Sequence, residues 1–236
     1  NWYFFFRLED LPDEILLMIL QHCPLPELLQ SINRVCKRFH TLIENSTCLW
    51  KYFEFDIPLS LDPPSLQRVL TPARIRNFRR LCLPEALFGW SAPQVDFHLF
   101  RLFEATNLSF LDLTGIAISS LAFLPYLSDL EVLILDSCPH IRDSDIVAIQ
   151  ECPKLLQLYI GFTKVTPAPL TAALPESLVT LECSGVVFSE LELHSLLLAH
   201  SHLLFLTVSL DTLLDPQPLI SRYPNTTLSI FRVHIE

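Results

Sequence analysis

Two hydrophobic patterns divide this chain. From Phe78 onward, apolar side chains recur at the first, fourth and sixth places of a short unit: Phe78, Leu81, Leu83; Leu108, Leu111, Leu113; Leu130, Leu133, Leu135; Leu155, Leu158, Ile160; Leu178, Leu181, Cys183; Leu203, Leu206, Val208; and Leu228, Phe231, Val233. From Leu108 the units follow at steps of 22, 25, 23, 25 and 25 residues, after a longer first step of 30. Alternation within each unit predicts a short strand, and the interval predicts a returning helix or loop. One such unit cannot bury its apolar side, so neighbours must stack. The residues between the apolar places then share the inner face: Phe110, Asp112; Val132, Ile134, Asp136; Gln157, Tyr159; Thr180, Glu182; Phe205, Thr207; and Ile230, Arg232.

Ahead of Phe78 the pattern is helical. On a wheel, Leu11 to His22 leaves only a narrow polar strip through Glu14 and Gln21, with Asp13 on another side. A helix apolar almost all round asks to be covered from two directions. Leu28, Leu29, Ile32, Val35, Phe39, Leu42, Ile43 and Trp50 supply one cover. A unit of roughly 45 residues buries too small a fraction of its surface to stand comfortably alone, so the remaining apolar surface predicts a docking face.

The order Leu11-Pro12-Asp13-Glu14-Ile15-Leu16, Leu28-Leu29, Val35-Cys36-Lys37-Arg38-Phe39, Leu49-Trp50 resembles an F-box. The resemblance implies docking on the small adaptor subunit of SCF-type ubiquitin ligases, and through it on a cullin scaffold. It implies adaptor-binding roles for Leu11, Pro12, Ile15, Leu16, Ile19, Leu28, Leu29, Val35, Cys36, Arg38, Leu49 and Trp50. The later period falls in the window of leucine-rich repeats. The unit Leu130, Leu133, Leu135, Cys138, Ile141, Arg142, Asp143, Ile146, Ile149, Cys152, Pro153, Leu155 is similar to the cysteine-containing subtype, with Asp143 the expected helix cap. Its Cys138 place is Ile116, Thr163, Val186 and Asp211 elsewhere, so some repeats are irregular. The expected fold is α/β: an N-terminal helical F-box (8–53), a linker with short helices (54–77), and a curved leucine-rich-repeat solenoid (78–236). About six to seven repeats would place a parallel sheet on the concave face.

Between the two parts, Pro58 to Pro64 is proline-rich, and Ser65–Leu70 and Thr71–Phe78 read as short helices, the second capped by Thr71 with Pro72 in its first turn. Arg68, Arg74, Arg76, Arg79 and Arg80 cluster there. Without a nucleic-acid motif, they read as a solvated face or as contacts to neighbouring acidic repeats. Charge is uneven: through Arg80 the chain carries 10 basic and 9 acidic residues, and beyond it 6 and 17, for −10 in all. An acidic repeat surface repels phosphates and favours a basic partner.

The chemistry-bearing residues add no active site. Seven dispersed cysteines without a Cys-x-x-Cys pair read as buried thiols in a reducing compartment, cytoplasmic or nuclear. Cys138, His140 and Cys152 lack a fourth ligand for structural zinc. His194, His200 and His202 lie in the longest uncharged run, Leu193 to Leu210, which one helix and one strand explain better than a membrane span. No nucleophile accompanies them in a recognisable context, and there is no Gly-rich phosphate loop among the 4 glycines. Asn1 to Phe6 is aromatic, lacks an initiating Met and receives no role; the chain reads as a fragment or processed form. After the last strand no polar capping repeat follows, so either the protein continues or that edge is covered.

The expected function is therefore a non-catalytic substrate receptor without cofactor or metal. Its target-binding residues would be Phe110, Asp112, Ile134, Asp136, Tyr159, Glu182 and Phe205, and its target a basic, partly apolar protein segment. The alternatives are a ligase-independent repeat scaffold, a hydrolase using His200 or Cys183, and a secreted repeat receptor. The last would use Asn45, Asn107 or Asn225 as sugar acceptors. Target identity, phosphorylation dependence and ubiquitin-chain type are not written in the sequence.

Overall fold

The structure, a computed structural model, describes residues 7–23, 25–54, 71–83, 91–103, 107–211 and 221–232. The expected helix at Ser65–Leu70, the proline-rich passage, Arg68, Val233 and Asn1–Phe6 lie outside them. The chain begins with a 3₁₀ turn, Leu8–Asp10, and helices α1 (Asp13–Leu20), α2 (Leu25–Gln30), α3 (Lys37–Asn45) and α4 (Thr47–Trp50). Pro12 stands directly before α1, where a missing N–H costs no helical bond. Leu16 and Leu20, one turn apart, point into the core with Leu28, Phe39, Ile43 and Trp50.

The sheet follows at once. Among the described residues it has eight parallel strands in sequence order: β1 (Tyr52–Glu54), β2 (Arg80–Cys82), β3 (Phe110–Asp112), β4 (Val132–Ile134), β5 (Gln157–Tyr159), β6 (Thr180–Phe188), β7 (Phe205–Leu210) and β8 (Thr227–Arg232). The returns carry α5 (Pro72–Ile75), α6 (Ala92–Phe103), α7 (Asp143–Ile146), α8 (Pro167–Ala173) and α9 (Glu190–Ala199), with 3₁₀ turns at Leu124–Tyr126 and Val147–Glu151. The architecture is the expected one: N-terminal helices, then a repeat solenoid with its parallel strands on the inner face. Its sheet starts earlier than Phe78, because Phe53 pairs with Leu81.

Register explains the leucine pattern. Leu81, Leu111, Leu133, Leu158, Leu181, Leu206 and Leu228 are paired in one row across the sheet. All but Leu228 are fully buried or nearly so, while the residues on either side of them in β2 to β5 are half-exposed. Strands β2 to β8 thus contribute their apolar side to one continuous core.

At the far end the expected register fails. Leu228 pairs with Leu206, so it occupies the second apolar place rather than the first. Ile230 falls in line with Val208 on the core side and is half-buried, and Phe231 is exposed. Ile230 therefore leaves the open face, and so does the place of Arg232. The physical reason is local: the Thr226 hydroxyl donates to the Leu203 carbonyl (2.8 Å) and the Thr227 N–H to the Leu204 carbonyl (2.7 Å), which fixes the pairing three residues earlier than leucine spacing implies.

Neighbouring repeats are also tied on the convex side. Asp143 is not the cap of α7: Arg142 is the capping residue, and its N–H donates to Asp145 (2.9 Å). Asp143 instead accepts from the N–H and hydroxyl of Thr166, one repeat on, at 2.7 and 2.8 Å. Asp96 does the same for Ser119 (3.0 and 2.5 Å). Both pairs span 23 residues, one repeat.

The seven cysteines are free thiols. Cys138 donates to the Leu113 carbonyl (3.1 Å) and Cys183 to that of Thr207 (3.2 Å), each bridging adjacent repeats. Burial pushes the Cys138 and Cys152 thiols up to about 12, and Cys183 upward as well. At pH 8 a maleimide should therefore modify exposed Cys48 in the native protein and spare Cys138, Cys152 and Cys183 until urea unfolds the chain. Peptide mapping after a timed pulse checks this, and early labelling of Cys138 would contradict the packing described.

Candidate functional site

The amino-terminal helices present two faces of α1 to two destinations. Ile15 (42% exposed), Met18 (61%) and Ile19 (40%) form an uncovered strip at i, i+3 and i+4. Leu11 is half-buried at its start, and exposed Leu8 precedes it. Val35 is also exposed, at 66%, and Pro12 is open, whereas Leu29, Cys36 and Leu49 are half-buried. Leu16, Leu28 and Trp50 are not docking residues in this arrangement. They are sealed in the core, because covering the inner face of α1 consumes them. Met18 was missing from the sequence-based set, although its place one turn after Ile15 marks it for the same strip.

Two other expected docking residues do structural work. Arg38 donates through Nε to Asp13 Oδ1 (2.8 Å) and through its terminal nitrogens to the Leu11 carbonyl (2.6 Å) and the Glu9 carbonyl. One guanidinium thereby fixes the chain entering α1, using the planar fork a lysine lacks. Cys36 is the cap of α3, its Sγ accepting from the Phe39 N–H at 3.5 Å.

Trp50 is the hinge pin between the two parts. Its indole N–H donates to the Ile43 carbonyl, the Arg74 guanidinium lies 4.8 Å from its ring centroid, and Phe78 packs at 6.4 Å. Arg74 is 3% exposed and pairs with Glu44, which also accepts from Asn33 (3.3 Å) and Thr71 (3.1 Å). Thr71 precedes α5 as expected, but its hydroxyl serves Glu44 rather than the helix. The arginine cluster is thus divided: Arg74 faces the helices, Arg79 donates to the Asn107 carbonyl (2.8 Å), and Arg80 stacks 3.8 Å from the Phe110 ring centroid. The expected linker is, from Thr71 onward, part of a packed junction.

On the open face, Phe110, Val132, Gln157, Thr180 and Phe205 are aligned in one row, and Asp112, Ile134, Tyr159, Glu182 and Thr207 in the next. The expected target-binding residues are therefore brought together. The three carboxylates, however, already accept bonds from this chain, Asp112 and Glu182 from two residues on and Asp136 from the next repeat. Asp112 accepts from the Thr114 N–H and hydroxyl (2.9 and 2.6 Å), Asp136 from the Gly161 N–H (2.7 Å), and Glu182 from the Ser184 N–H (3.2 Å) and hydroxyl. Asp136 and Glu182 flank Gly161 so closely that a Cβ there would lie 2.9 Å from Glu182 Oε2 and 3.2 Å from Asp136 Oδ1. Burial, and then the charge of Glu182, push Asp136 up to about 6 against the opposing Gly161 bond.

Just beyond this row the chain turns through the left-handed region in four successive repeats, at Gly115, Ser137, Phe162 and Gly185. Phe162, at φ 55° and 68% exposed, holds an aromatic ring at the rim in a conformation costly for a bulky residue. Sequence reading had no signal for it, because a positive φ is announced only by Gly or Asn.

The rings of His200 and His202 meet edge-on at 5.8 Å. His200 bonds through Nε2 to the Thr171 carbonyl (3.0 Å), tying α9 to α8, and His194 meets Tyr223 edge-on. Among the described residues no cluster of three metal-binding side chains occurs, and no helix is long and apolar enough to cross a membrane.

Residues 8–56 match the F-box-like family. The F-box-like stretch thus takes in the whole of β1, and the strip of Ile15, Met18 and Ile19 belongs to it. No curated protein matches the chain. Among solved structures it is similar to an internalin (inlF) from Listeria monocytogenes, at 19% identity and TM-score 0.46 over 72% of this chain and 49% of that one. It is also similar to internalin C2 (inlC2) from the same organism, at 17% identity and TM-score 0.46 over 70% of this chain and 78% of that one. The chain thus spans about half the length of inlF.

Asp136 generates a pH prediction. A carboxyl whose folded pKa is raised binds its proton more tightly when folded, so its contribution to stability is lost as pH rises from about 4 to 6. Asp136→Asn keeps an acceptor for Gly161 and removes the repulsion. It should stabilise the protein at pH 7 by about 1 kcal/mol, after allowance for solvent screening, and by almost nothing at pH 4. Urea unfolding at both pH values checks the sign.

Proposed function

We propose that this chain is a non-catalytic substrate receptor of an SCF-type ubiquitin ligase. In this reading the F-box-like stretch seats on the adaptor, the adaptor joins a cullin, and the repeats hold a target protein. The observation that carries it is the double-sided α1: Leu16 and Leu20 consumed by the core, Ile15, Met18 and Ile19 left uncovered, all within the family match. An exposed apolar strip on a small helical unit reads as a docking surface, and the F-box-like match supports an adaptor as its partner. The receptor contributes proximity: it turns the meeting of a target lysine and a ubiquitin thioester into a nearly intramolecular event. The junction at Trp50, Arg74 and Phe78 supports this, because a packed connection presents the target in a set orientation. The working compartment would be cytoplasmic or nuclear, in keeping with seven free thiols.

Replacing both Ile15 and Ile19 by Asp touches no core residue, so the fold should survive while affinity for a purified adaptor falls about a hundredfold or more. Trp50→Ala should do the reverse in kind, costing about 3–5 kcal/mol of stability through loss of the core ring. Co-expression with the adaptor, size-exclusion chromatography and thermal unfolding separate the two effects. A wild-type chain that never co-elutes with adaptor would instead support a ligase-independent scaffold.

A further inference from the structure

At the F-box end of the sheet, the residues just ahead of the strands form a recess of about 340 Å³. Lys51, Arg79 and Arg80 line it with Ser109 and Glu131, and Phe110 and Val132 form its floor. Among the described residues that line it, three cations face one carboxylate, in a chain whose net charge is −10. The Arg80 guanidinium carbon lies over the Phe110 ring, 3.8 Å from its centroid. Arg79 is braced from the other side by the Asn107 carbonyl.

This recess is one end of a continuous track. Backbone bonds run from Arg79 N–H to the Lys51 carbonyl, from Ser109 to Arg79 and from Glu131 to Ser109. They continue from Leu156 to Glu131, from Val179 to Leu156 and from Leu204 to Val179. The same position in successive repeats therefore reads cationic at one end and apolar at the other. At the apolar end Leu156 is 40% exposed, Leu204 45% and the adjacent Phe205 52%. Part-exposed leucines two repeats apart, with half-buried Val179 between them and continuous with a basic recess, make a bipolar rim that the core does not require.

We infer that this rim binds an extended segment of a target polypeptide, with an oxyanion group seated among Lys51, Arg79 and Arg80 and apolar side chains on Leu156, Leu204 and Phe205. The inference rests on the receptor reading and specifies its target: acidic and apolar in sequence, rather than the basic segment that net charge implies. Asp112 and Glu182, which with Asp136 motivated a basic target, are engaged in local turns, and Asp136 accepts from the Gly161 N–H of the next repeat. The surrounding negative protein repels a uniformly acidic ligand, so the site selects a local anion beside apolar residues.

The spacing follows from sheet geometry. Strands about 4.8 Å apart put Leu156 roughly 14 Å and Leu204 roughly 24 Å from Arg79. At about 3.3 Å per extended residue, and with alternate side chains facing the rim, apolar side chains belong about four and eight residues beyond the anion.

The test uses the full chain and fluorescent synthetic peptides measured by anisotropy. Each has leucines four and eight residues after a head residue that is phosphoserine, Glu or Lys. The phosphoserine and Glu heads should bind and the Lys head should not, and the ratio of the first two says which oxyanion the recess prefers. Arg79→Glu with Arg80→Glu should weaken the anionic peptides about tenfold or more. Ser109→Asp, which adds charge without removing a packed arginine, should do the same. Moving both leucines next to the head should also weaken binding. Preference for the Lys head, indifference to Ser109→Asp in a folded protein, or no binding of the anionic peptides at about 1 mM would overturn the inference. So would self-association that blocks the rim, which would assign the surface to a second copy. Adaptor capture is read separately on the same samples, so a chain that binds adaptor but no anionic peptide sinks this inference and leaves the receptor reading standing.

Discussion

One constraint governs the molecule: no segment of it has enough neighbours of its own to bury its apolar side. In the repeats the shortage is met by stacking. Leu81, Leu111, Leu133, Leu158, Leu181 and Leu206 form a row in which each leucine is covered by the strands on either side. The row then needs a beginning, and the helical unit supplies it. Its β1 pairs with β2, and Trp50 packs against Phe78, the first apolar residue of the first repeat. The F-box-like stretch is therefore the end cap of the solenoid as well as the docking module proposed above.

That double duty explains how side chains are divided within a few residues. Leu16, Leu28 and Trp50 belong to the fold, and Ile15, Met18 and Ile19 remain for a partner. The buried Arg74–Glu44 pair sits at the boundary, satisfied further by Asn33 and Thr71. Such a pair is costly to desolvate and punishing to break, which makes the junction discriminating about geometry. An orientation set there is passed to every later strand.

The chain's periodicity foretold the strands from Arg80 to Leu210 almost residue by residue, because alternation and a fixed step are properties of sequence. It did not foretell β8 correctly, since Leu228 and Phe231 fit the apolar pattern in either of two registers and only the Thr226 and Thr227 bonds choose between them. Residue type alone also misassigned Arg38 and Cys36: both belong to the motif, yet one clamps carbonyls and the other caps a helix. The carboxylates of the open face were legible as a cluster, but their bonds to Thr114, Gly161 and Ser184 depend on turns that sequence does not announce. Likewise the basic recess draws on Lys51, Arg80 and Glu131, residues far apart in sequence that only the parallel register brings together.

The central claim is that α1 is covered on one side by this chain and on the other by an adaptor. Hydrogen–deuterium exchange of the full chain with and without purified adaptor tests it most directly. The account predicts added protection over residues 8–23 and little change in the strands from Phe110 to Leu210. Unchanged exchange in α1 at saturating adaptor, or protection confined to the strands, would contradict it.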